Sequence, residues 1–420
     1  MKFAFISEEM DSEAYQCRLI HEGHEVKTWI KLPEERETGK GIITTVKSWE
    51  SLIPWADYFF LDSNCFGVEG KLLRGMNKKV FGGTVDTDRT EGERSFGFKL
   101  LESYDINCGI WAGPFKAEEA ISFIKKNPNR WVIKPDGSLD KDLTFVSKDA
   151  EDALEFLTEH KSEYKGSLIL QQFVPDAKEL AIGVTVQHGN VLFPVRENVE
   201  HKNLFNGNLG VATGEQGTIV HYTNDSPLLD EVLKLSPWFE KEDYTGDFDL
   251  NFMIQEDGTA ICLETTARPG YPISILQCDN IAMDYGKYLS SLIDNKLDAI
   301  PIYGSWTCGV VLSAPGFPFK ESYHKHGLGR HIEQLNDIYE PGLYFYAINK
   351  DKKGFVTTGN YGAVLVAVAN TDDLESCTKE CYEFIKEHDF PRWLAYRSDI
   401  GADLRKEDLP WFQARGYLLD

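Results

Sequence analysis

No stretch of this 420-residue chain approaches the roughly 18 consecutive apolar positions that a membrane-spanning helix requires. Met1-Lys2-Phe3-Ala4-Phe5-Ile6 runs straight into Ser7-Glu8-Glu9 without a cleavage pattern, so the expected compartment is the cytosol. Cysteine is sparse: the 8 present are scattered singly apart from Cys377 and Cys381, four apart in a helical pattern. That is the usage of reduced, buried thiols rather than of a disulfide frame. Positive charge is short as well, 44 Lys and Arg against 67 Asp and Glu, a net charge of −23. Such a chain repels phosphate backbones, which excludes non-specific nucleic-acid binding, and any phosphate ligand must be met by local cations or a metal. With Gly 35 and Pro 17 there is no low-complexity or collagen-like bias, and 42% hydrophobic residues in a chain this long suffice for two to four domains.

The first hundred residues alternate apolar runs with helical patterns. Lys2 to Ile6, Glu25 to Ile30, Asp57 to Asp62 and Lys79 to Gly82 read as strands of a parallel sheet wound by βαβ units. Leu19 to Val26 holds His21 and His24, but their spacing is three rather than the four of a zinc-protease helix, and Gly23 falls where a helix ends. A helix over Arg94 to Tyr104 closes the unit, and Gly113-Pro114 marks a boundary. Next come a helix near Lys116 to Lys126, a strand Trp131 to Lys134, a helix near Asp149 to His160 and a strand Ser167 to Phe173. Strands over Glu179 to Val186 and Val191 to Val195 make this region α+β with antiparallel pairing. A third region opens near Pro301 with the strand Trp306 to Leu312. His324, His326 and His331 in a Gly-rich polar stretch read as surface-loop histidines.

Three pieces carry chemistry. Lys134-Pro135-Asp136-Gly137-Ser138-Leu139-Asp140-Lys141 follows an apolar strand and precedes another at Leu143 to Val146, so two lysines could fold over a triphosphate; a solvated turn would read the same way. Leu170 to Glu179 is a strand that breaks at Pro175. A broken strand leaves backbone groups unpaired, which suits an adenine edge, and the carboxylate of Glu179 could accept ribose hydroxyls. Asp247 to Ile254 and Ala260 to Arg268 flank an Asp257-Gly258 turn, a hairpin in which Asn251 and Glu264 approach each other with Thr266 facing the same side. Oxygen ligands so spaced suit Mg²⁺ bridging nucleotide phosphates, and Arg268 adds a planar fork for a phosphate or carboxylate.

Lysine loop, broken hinge strand and acidic hairpin, in this order, resemble the ATP-grasp superfamily. His201-Lys202-Asn203-Leu204-Phe205-Asn206-Gly207-Asn208-Leu209-Gly210 and onward to Gly214 and Gly217 resembles the glycine-rich stretch of the glycinamide ribonucleotide synthetase family. Ala314-Pro315-Gly316-Phe317-Pro318 resembles that family's Gly-Gly-Tyr-Pro turn, and Tyr396-Arg397-Ser398-Asp399-Ile400-Gly401 its closing motif, so the resemblance covers nearly the whole chain. It implies an ATP-grasp fold over residues 109–300 with a lid at 113–172, a Rossmann-like domain over 1–108 and a small α+β domain over 301–420. It further implies a purine-biosynthetic ligase in which ATP phosphorylates glycine and the amine of phosphoribosylamine displaces the phosphate. Its cofactors would be ATP and Mg²⁺ or Mn²⁺, with monomer or homodimer assembly and no membrane partner. Carried onto this sequence, ATP is met by Arg94, Lys134, Lys141, Gln171, Gln172, Val174 and Glu179; the metal by Glu264, Thr266 and Asn251; substrate by His201, Lys202, Gly214 and Arg268. Arg268 and Lys141 are the implied catalytic cations.

Departures cluster on the amine side. The family's Gly-Gly-Arg-Glu-His after the first strand becomes Ser7-Glu8-Glu9-Met10-Asp11, and acids there repel a phosphorylated sugar. Its Asn-Ala-Arg-Phe-Gly-Asp-Pro-Glu becomes Thr266-Ala267-Arg268-Pro269-Gly270-Tyr271-Pro272-Ile273, Asp140-Lys141-Asp142 replaces Gly-Lys-Gly in a shortened loop, and Arg94 stands where a lysine is expected. Two other readings therefore stand beside the parent reaction: a ligase for a different amine, such as a modified nucleotide, and a degenerate nucleotide-binding scaffold.

Overall fold

The computed structural model describes residues 1–137 and 143–419. Near the N-terminus the apolar runs become β1 (Lys2–Ser7), β2 (Glu25–Ile30), β3 (Thr44–Thr45), β4 (Tyr58–Leu61) and β5 (Lys79–Phe81). They form one parallel sheet in the order β3-β2-β1-β4-β5. Helices cover both faces, so the central strands are apolar throughout rather than alternating; Phe3, Phe5, Phe59 and Leu61 are all buried. Helix Glu13–His21 ends before Gly23, whose φ of +85° turns the chain toward β2 and leaves His24 in the connection, outside the helix that carries His21.

The next strands are β6 (Trp111–Phe115), β7 (Trp131–Asp136), β8 (Phe145–Val146) and β9 (Ser167–Gln172), paired in the order β6-β9-β7-β8. With helices Ala117–Lys126 and Ala150–His160 they enclose a separate apolar cluster around Ile124, Trp131, Leu157 and Leu168. A layer with its own core can move as a unit.

The centre of the molecule is an eight-stranded antiparallel sheet. Its strands are β10 (Lys178–Gln187), β11 (Asn190–Phe205), β12 (Leu209–Thr223), β13 (Gly246–Ile254), β14 (Ala260–Thr266), β15 (Trp306–Ser313) and β16 (Leu343–Phe345), together with a last strand introduced below. A small hairpin of β17 (Ile348–Asp351) and β18 (Gly354–Thr357) precedes that last strand, β19 (Ala363–Thr371). The order is β14-β13-β10-β11-β12-β15-β19-β16, so the strands after residue 301 extend the sheet begun by the middle region. β11 runs ten residues past the expected Val191 to Val195, and the glycine-rich stretch forms the far ends of a long β11–β12 hairpin that turns at Asn206–Asn208.

Helix Leu374–Glu387 packs Cys377 and Cys381 against this sheet, where their thiols donate to the carbonyls of Ala369 and Ala367; all eight cysteines are unbridged. His324 and His326 sit in helix Lys320–His326 rather than in a loop, because the polar run keeps helical hydrogen bonding up to Gly327. His331 pairs with Asp351. The N-terminal sheet is fixed to the central one by Arg18, which donates to the carbonyls of Cys278 and Met283, and by Ile348, whose N–H donates to Glu13 at 3.1 Å.

Candidate nucleotide and metal site

The acidic hairpin sets the geometry. Gly258, at φ +86°, closes the turn between β13 and β14, and the ladder places Asn251 opposite Glu264 and Asp249 opposite Thr266. Directly paired residues share a face, and side chains alternate along a strand, so these four point the same way. β10 and β11 continue that face: Ala181 pairs with Asn251 and with Asn198, which brings Glu179 and Glu200 alongside. Gly183 leaves the space: a Cβ there would lie 2.1 Å from Asp249 Oδ1. Into that space reaches buried Arg196, 3.3 Å from Asp249 and 3.7 Å from Asp247. Burial and Asp247 push Asp249 up to about 7 even beside that guanidinium.

Lys134 enters this face from β7. Its ammonium donates to Gln171 Oε1 at 2.8 Å and to the Leu263 carbonyl at 2.7 Å, next to Glu264 in sequence. Gln171 in turn donates its amide N–H groups to the carbonyls of Cys108 and Cys262, both at 2.9 Å. The polar atoms of Gln171 are thus spent on holding the lysine. Burial lowers Lys134 to about 8, with Arg94 adding to the shift and Glu264 opposing it. Arg94 lies 3.8 Å from Glu264 and donates to the Pro135 carbonyl at 2.7 Å, while the neighbouring Ser95 N–H and hydroxyl hold Asp136 at 2.9 and 2.8 Å. The lysine strand and the end of the N-terminal domain are therefore stitched together at the site.

Lys202 stands between Glu179 at 2.6 Å and Glu200 at 3.0 Å, and Asn251 Nδ2 donates to Glu179 at 3.3 Å. Burial works against the charge of Lys202, but Glu200, Glu179 and Glu264 outweigh it and hold the ammonium well above its ordinary value. Burial raises Glu200. Glu179, Glu200 and Glu264 surround Lys202 electrostatically, an oxygen-rich lining of the chemistry that suits Mg²⁺, and the negative charge that a single lysine leaves there fits a divalent cation, although among the described residues their ligand atoms are not gathered within 4.8 Å of one another.

These groups open into a cavity of about 1050 Å³ bounded by the lid, the central sheet and the N- and C-terminal loops. Lys134, Gln171, Gln172, Val174, Glu179, Lys202, Gly214 and Glu264 all line it. Arg94, Thr266 and Arg268 line a smaller adjoining cavity of about 130 Å³, which Glu264 shares. Arg268 is held by Glu91 at 3.1 Å and by donation to the Pro269 carbonyl. Asn251 is 6% exposed and sits behind the lining. Lys141 lies outside the described residues.

His201 is not brought to the cavity. Between Glu200 and Lys202 on a strand, it faces the other side, where it accepts from the Gly401 N–H at 3.3 Å, and burial beside Arg397 lowers its imidazole to about 4. It supports the closing motif instead of reaching the ligand space. The same alternation, counted back from Lys202, points to Glu200, which motif matching passes over. Glu215 and Glu35 also line or border the cavity without any sequence signal, since one is embedded among glycines and the other lies in a polar loop.

Comparison with known proteins bears on the family and the fold. Residues 92–272 match the family model of the phosphoribosylglycinamide synthetase ATP-grasp (A) domain. The chain is 26% identical over 377 residues to the phosphoribosylamine–glycine ligase of Clostridium acetobutylicum, covering 84% of this chain and 87% of that protein. It is 26% identical over 379 residues to the enzyme of Vibrio parahaemolyticus, covering 85% and 86%. In fold it is similar to the phosphoribosylamine–glycine ligase of Thermotoga maritima, with a TM-score of 0.75, 21% identity and coverage of 95% and 100%. It is also similar to the biotin carboxylase domain of Hydrogenobacter thermophilus 2-oxoglutarate carboxylase, solved with MgADP and bicarbonate, at a TM-score of 0.68, 10% identity and coverage of 100% and 98%.

The fold and the domain match over residues 92–272 define an ATP-grasp protein. Within that class the chain is similar over most of its length to phosphoribosylamine–glycine ligases, enzymes of the ADP-forming carbon–nitrogen ligase type.

Proposed function

We propose that the chain joins a carboxylate, glycine by analogy with its relatives, to an amine through an acyl phosphate made at the expense of ATP. The observation that carries this reading is the convergence of Lys134, Lys202 and Glu264 on one cavity whose wall is the interrupted strand at Gln172 to Val174. In this reading the adenine lies against the hinge segment, Glu179 meets the ribose, and Lys134 and Arg94 face the terminal phosphates. Glu264, Asn251 and Thr266, with Glu200 behind them, would hold Mg²⁺, which when bound neutralises phosphate charge.

The electrostatics demand such an arrangement. A carboxylate and a γ-phosphoryl group 4 Å apart repel by about 4 kcal/mol at an effective dielectric of 20. Lys134, clamped by Gln171, presents its ammonium without a rotamer search and so offsets that repulsion at a fixed point. Arg268, paired to Glu91, offers its remaining N–H groups to the incoming carboxylate. No nucleophilic side chain is needed; alignment alone can supply about 7–11 kcal/mol of the barrier. The lid, with its separate apolar core, closes over the cavity and keeps water from the acyl phosphate.

The test is isotope transfer. With glycine labelled by ¹⁸O in its carboxylate, Mg·ATP and hydroxylamine as a small trapping amine, we expect glycine hydroxamate and one ¹⁸O atom in each phosphate released. Phosphate without label, or ADP release independent of any carboxylate, overturns the acyl-phosphate reading.

A further inference from the structure

The cavity is larger than its nucleotide end, and its other end has a chemistry of its own. Glu9 and Asp11 from the loop after β1, Glu35 from the loop after β2, and Glu215 from β12 line it, with Tyr271 and Tyr346 between them. Among the described residues, the two lysines of the lining, Lys134 and Lys202, both stand at the nucleotide end, and no arginine lines this cavity. Glu215 is 9% exposed and its Oε1 is buried with no hydrogen-bond partner, as is the Tyr271 hydroxyl. Two polar atoms of the lining thus lack a partner within the protein; burial, then Glu200 and Glu179 against the opposing Lys202, hold the Glu215 carboxyl well above its usual range.

Lys202 and Arg268 are already paired to acids: Lys202, which acts on Glu215, is bound by Glu179 and Glu200. Arg268 is within electrostatic reach of Asp11 and Glu9 but is bound to Glu91 and to the Pro269 carbonyl. Lys320 acts on Glu35 from an exposed helix start. Glu35 itself accepts from Asn360 and Thr38, which fix its orientation toward the cavity wall. Burial, together with Asp62 and Glu9, pushes Asp11 up to about 8. The start of helix Glu13–His21, where a parallel-sheet protein of this kind offers N–H groups to a phosphate, is already filled by acids: Asp62 accepts from Ser12 at 2.6 Å, and Glu13 is buried in the first turn. Burial raises all four carboxyls, so a phosphate would add to negative charge that the site already resists, whereas an ammonium favours their ionised form.

We propose that this end of the cavity binds the amine substrate through a second, positively charged group, so that the acceptor is a diamine or polyamine carrying no phosphate. Carboxylates and aromatic faces together recognise an ammonium group through charge and ring quadrupole. The inference rests on the ligase reading above and names the amine of that same reaction. The anchored ammonium leaves the other nitrogen to react as the neutral amine. Its lone pair forms the C–N bond to the acyl carbon, the C–O bond to phosphate breaks with its electron pair leaving on phosphate, and the proton lost from nitrogen passes to solvent.

Putrescine and spermidine, with O-phosphoethanolamine as the anionic counterpart, are titrated calorimetrically into the full chain saturated with Mg²⁺ and a non-hydrolysable ATP analogue, at about 0.15 M salt to screen diffuse attraction by the acidic surface. The expected result is saturable binding of one diamine per chain, weakened roughly tenfold or more in Glu35→Gln and in Glu9→Gln. Glu118→Gln, an exposed acid on a lid helix, leaves it unchanged. Glu9 is exposed, so its variant folds even where the buried Glu35 variant does not. Tighter binding of O-phosphoethanolamine, no saturable diamine binding, or diamine binding indifferent to Glu9→Gln overturns the proposal. The hydroxylamine trap keeps the two readings apart: hydroxamate without diamine binding sinks the amine class alone, whereas diamine binding without hydroxamate sinks the ligase.

Discussion

The protonation of Lys134 offers a quantitative handle on the nucleotide end. Burial lowers this ammonium to about 8 from its ordinary 10.5. Between those two values the unfolded chain keeps a proton that the folded chain has lost, so unfolding takes up a proton there and stability rises with pH across the window. At 1.36 kcal/mol per unit the full contribution is about 3 kcal/mol, present as a penalty at neutral pH and relieved as pH climbs past 8. The penalty is the cost of keeping a charge dry for a ligand that is itself charged. Nucleotide phosphates placed against Lys134 favour the ammonium, so binding near pH 8.5, where the apo lysine is roughly one-quarter protonated, draws in about 0.7 proton.

Two measurements check this. Titration of an ATP analogue in buffers of different ionisation enthalpy near pH 8.5 should show proton uptake of about that size, vanishing in Lys134→Met. Chemical denaturation between pH 7.5 and 10.5 should show wild-type stability gaining on that of Lys134→Met by about 3 kcal/mol. Equal uptake in the variant, or a difference between the two proteins that does not change with pH, refutes the assignment of this lysine to the phosphates.

Three further outcomes are expected. Glu264→Gln lowers ADP formation at least about a hundredfold while circular dichroism and melting stay near wild type, since the carboxylate is partly exposed and its loss removes charge repulsion as well as a metal ligand; full activity removes the metal assignment. Gln171→Leu leaves the Lys134 ammonium and the carbonyls of Cys108 and Cys262 without their partner, destabilising the fold by about 1–3 kcal/mol and raising the KM for ATP more than it changes kcat. Arg196→Met strands Asp247 and Asp249 without a counter-charge and destabilises by about 3–5 kcal/mol in thermal melts at pH 8, with partial rescue in the Arg196→Met, Asp249→Asn double variant.

What could be read in the sequence and what could not divide along the range of the forces involved. The parallel N-terminal sheet, the lid helices and the Asp257-Gly258 hairpin announce themselves because apolar period and turn chemistry are local. Asn251 facing Glu264 follows from the same logic, as a two-strand register fixed by one short turn. The continuity of the sheet across residue 301 does not, because β12 meets β15 only through a pairing of residues some ninety apart, with helices between. Gln171 illustrates a subtler limit. Its position beside the hinge suggests a ligand contact, yet three hydrogen bonds to Lys134, Cys108 and Cys262 spend its amide on the protein, a fact set by three segments converging.

The acids of the amine end show how such long-range convergence creates chemistry. Glu9, Glu35 and Glu215 lie on three separate segments, and of these only Glu9 stands out in the sequence, as part of the acidic run after the first strand. Folding removes Glu35 and Glu215 from water without giving Glu215 a donor, and places Asp11 close enough to Asp62 and Glu9 that its charge is resisted. Unsatisfied negative charge held in a cavity is costly in the apo protein, so a sequence under no demand to bind a cation would neutralise it with a lysine or replace it with apolar side chains. The nucleotide end does the reverse with Lys134, a dry cation awaiting phosphates. In the proposed reading one cavity thus resists charge of opposite sign at its two ends, and an anionic nucleotide at one end with a cationic amine at the other would relieve both.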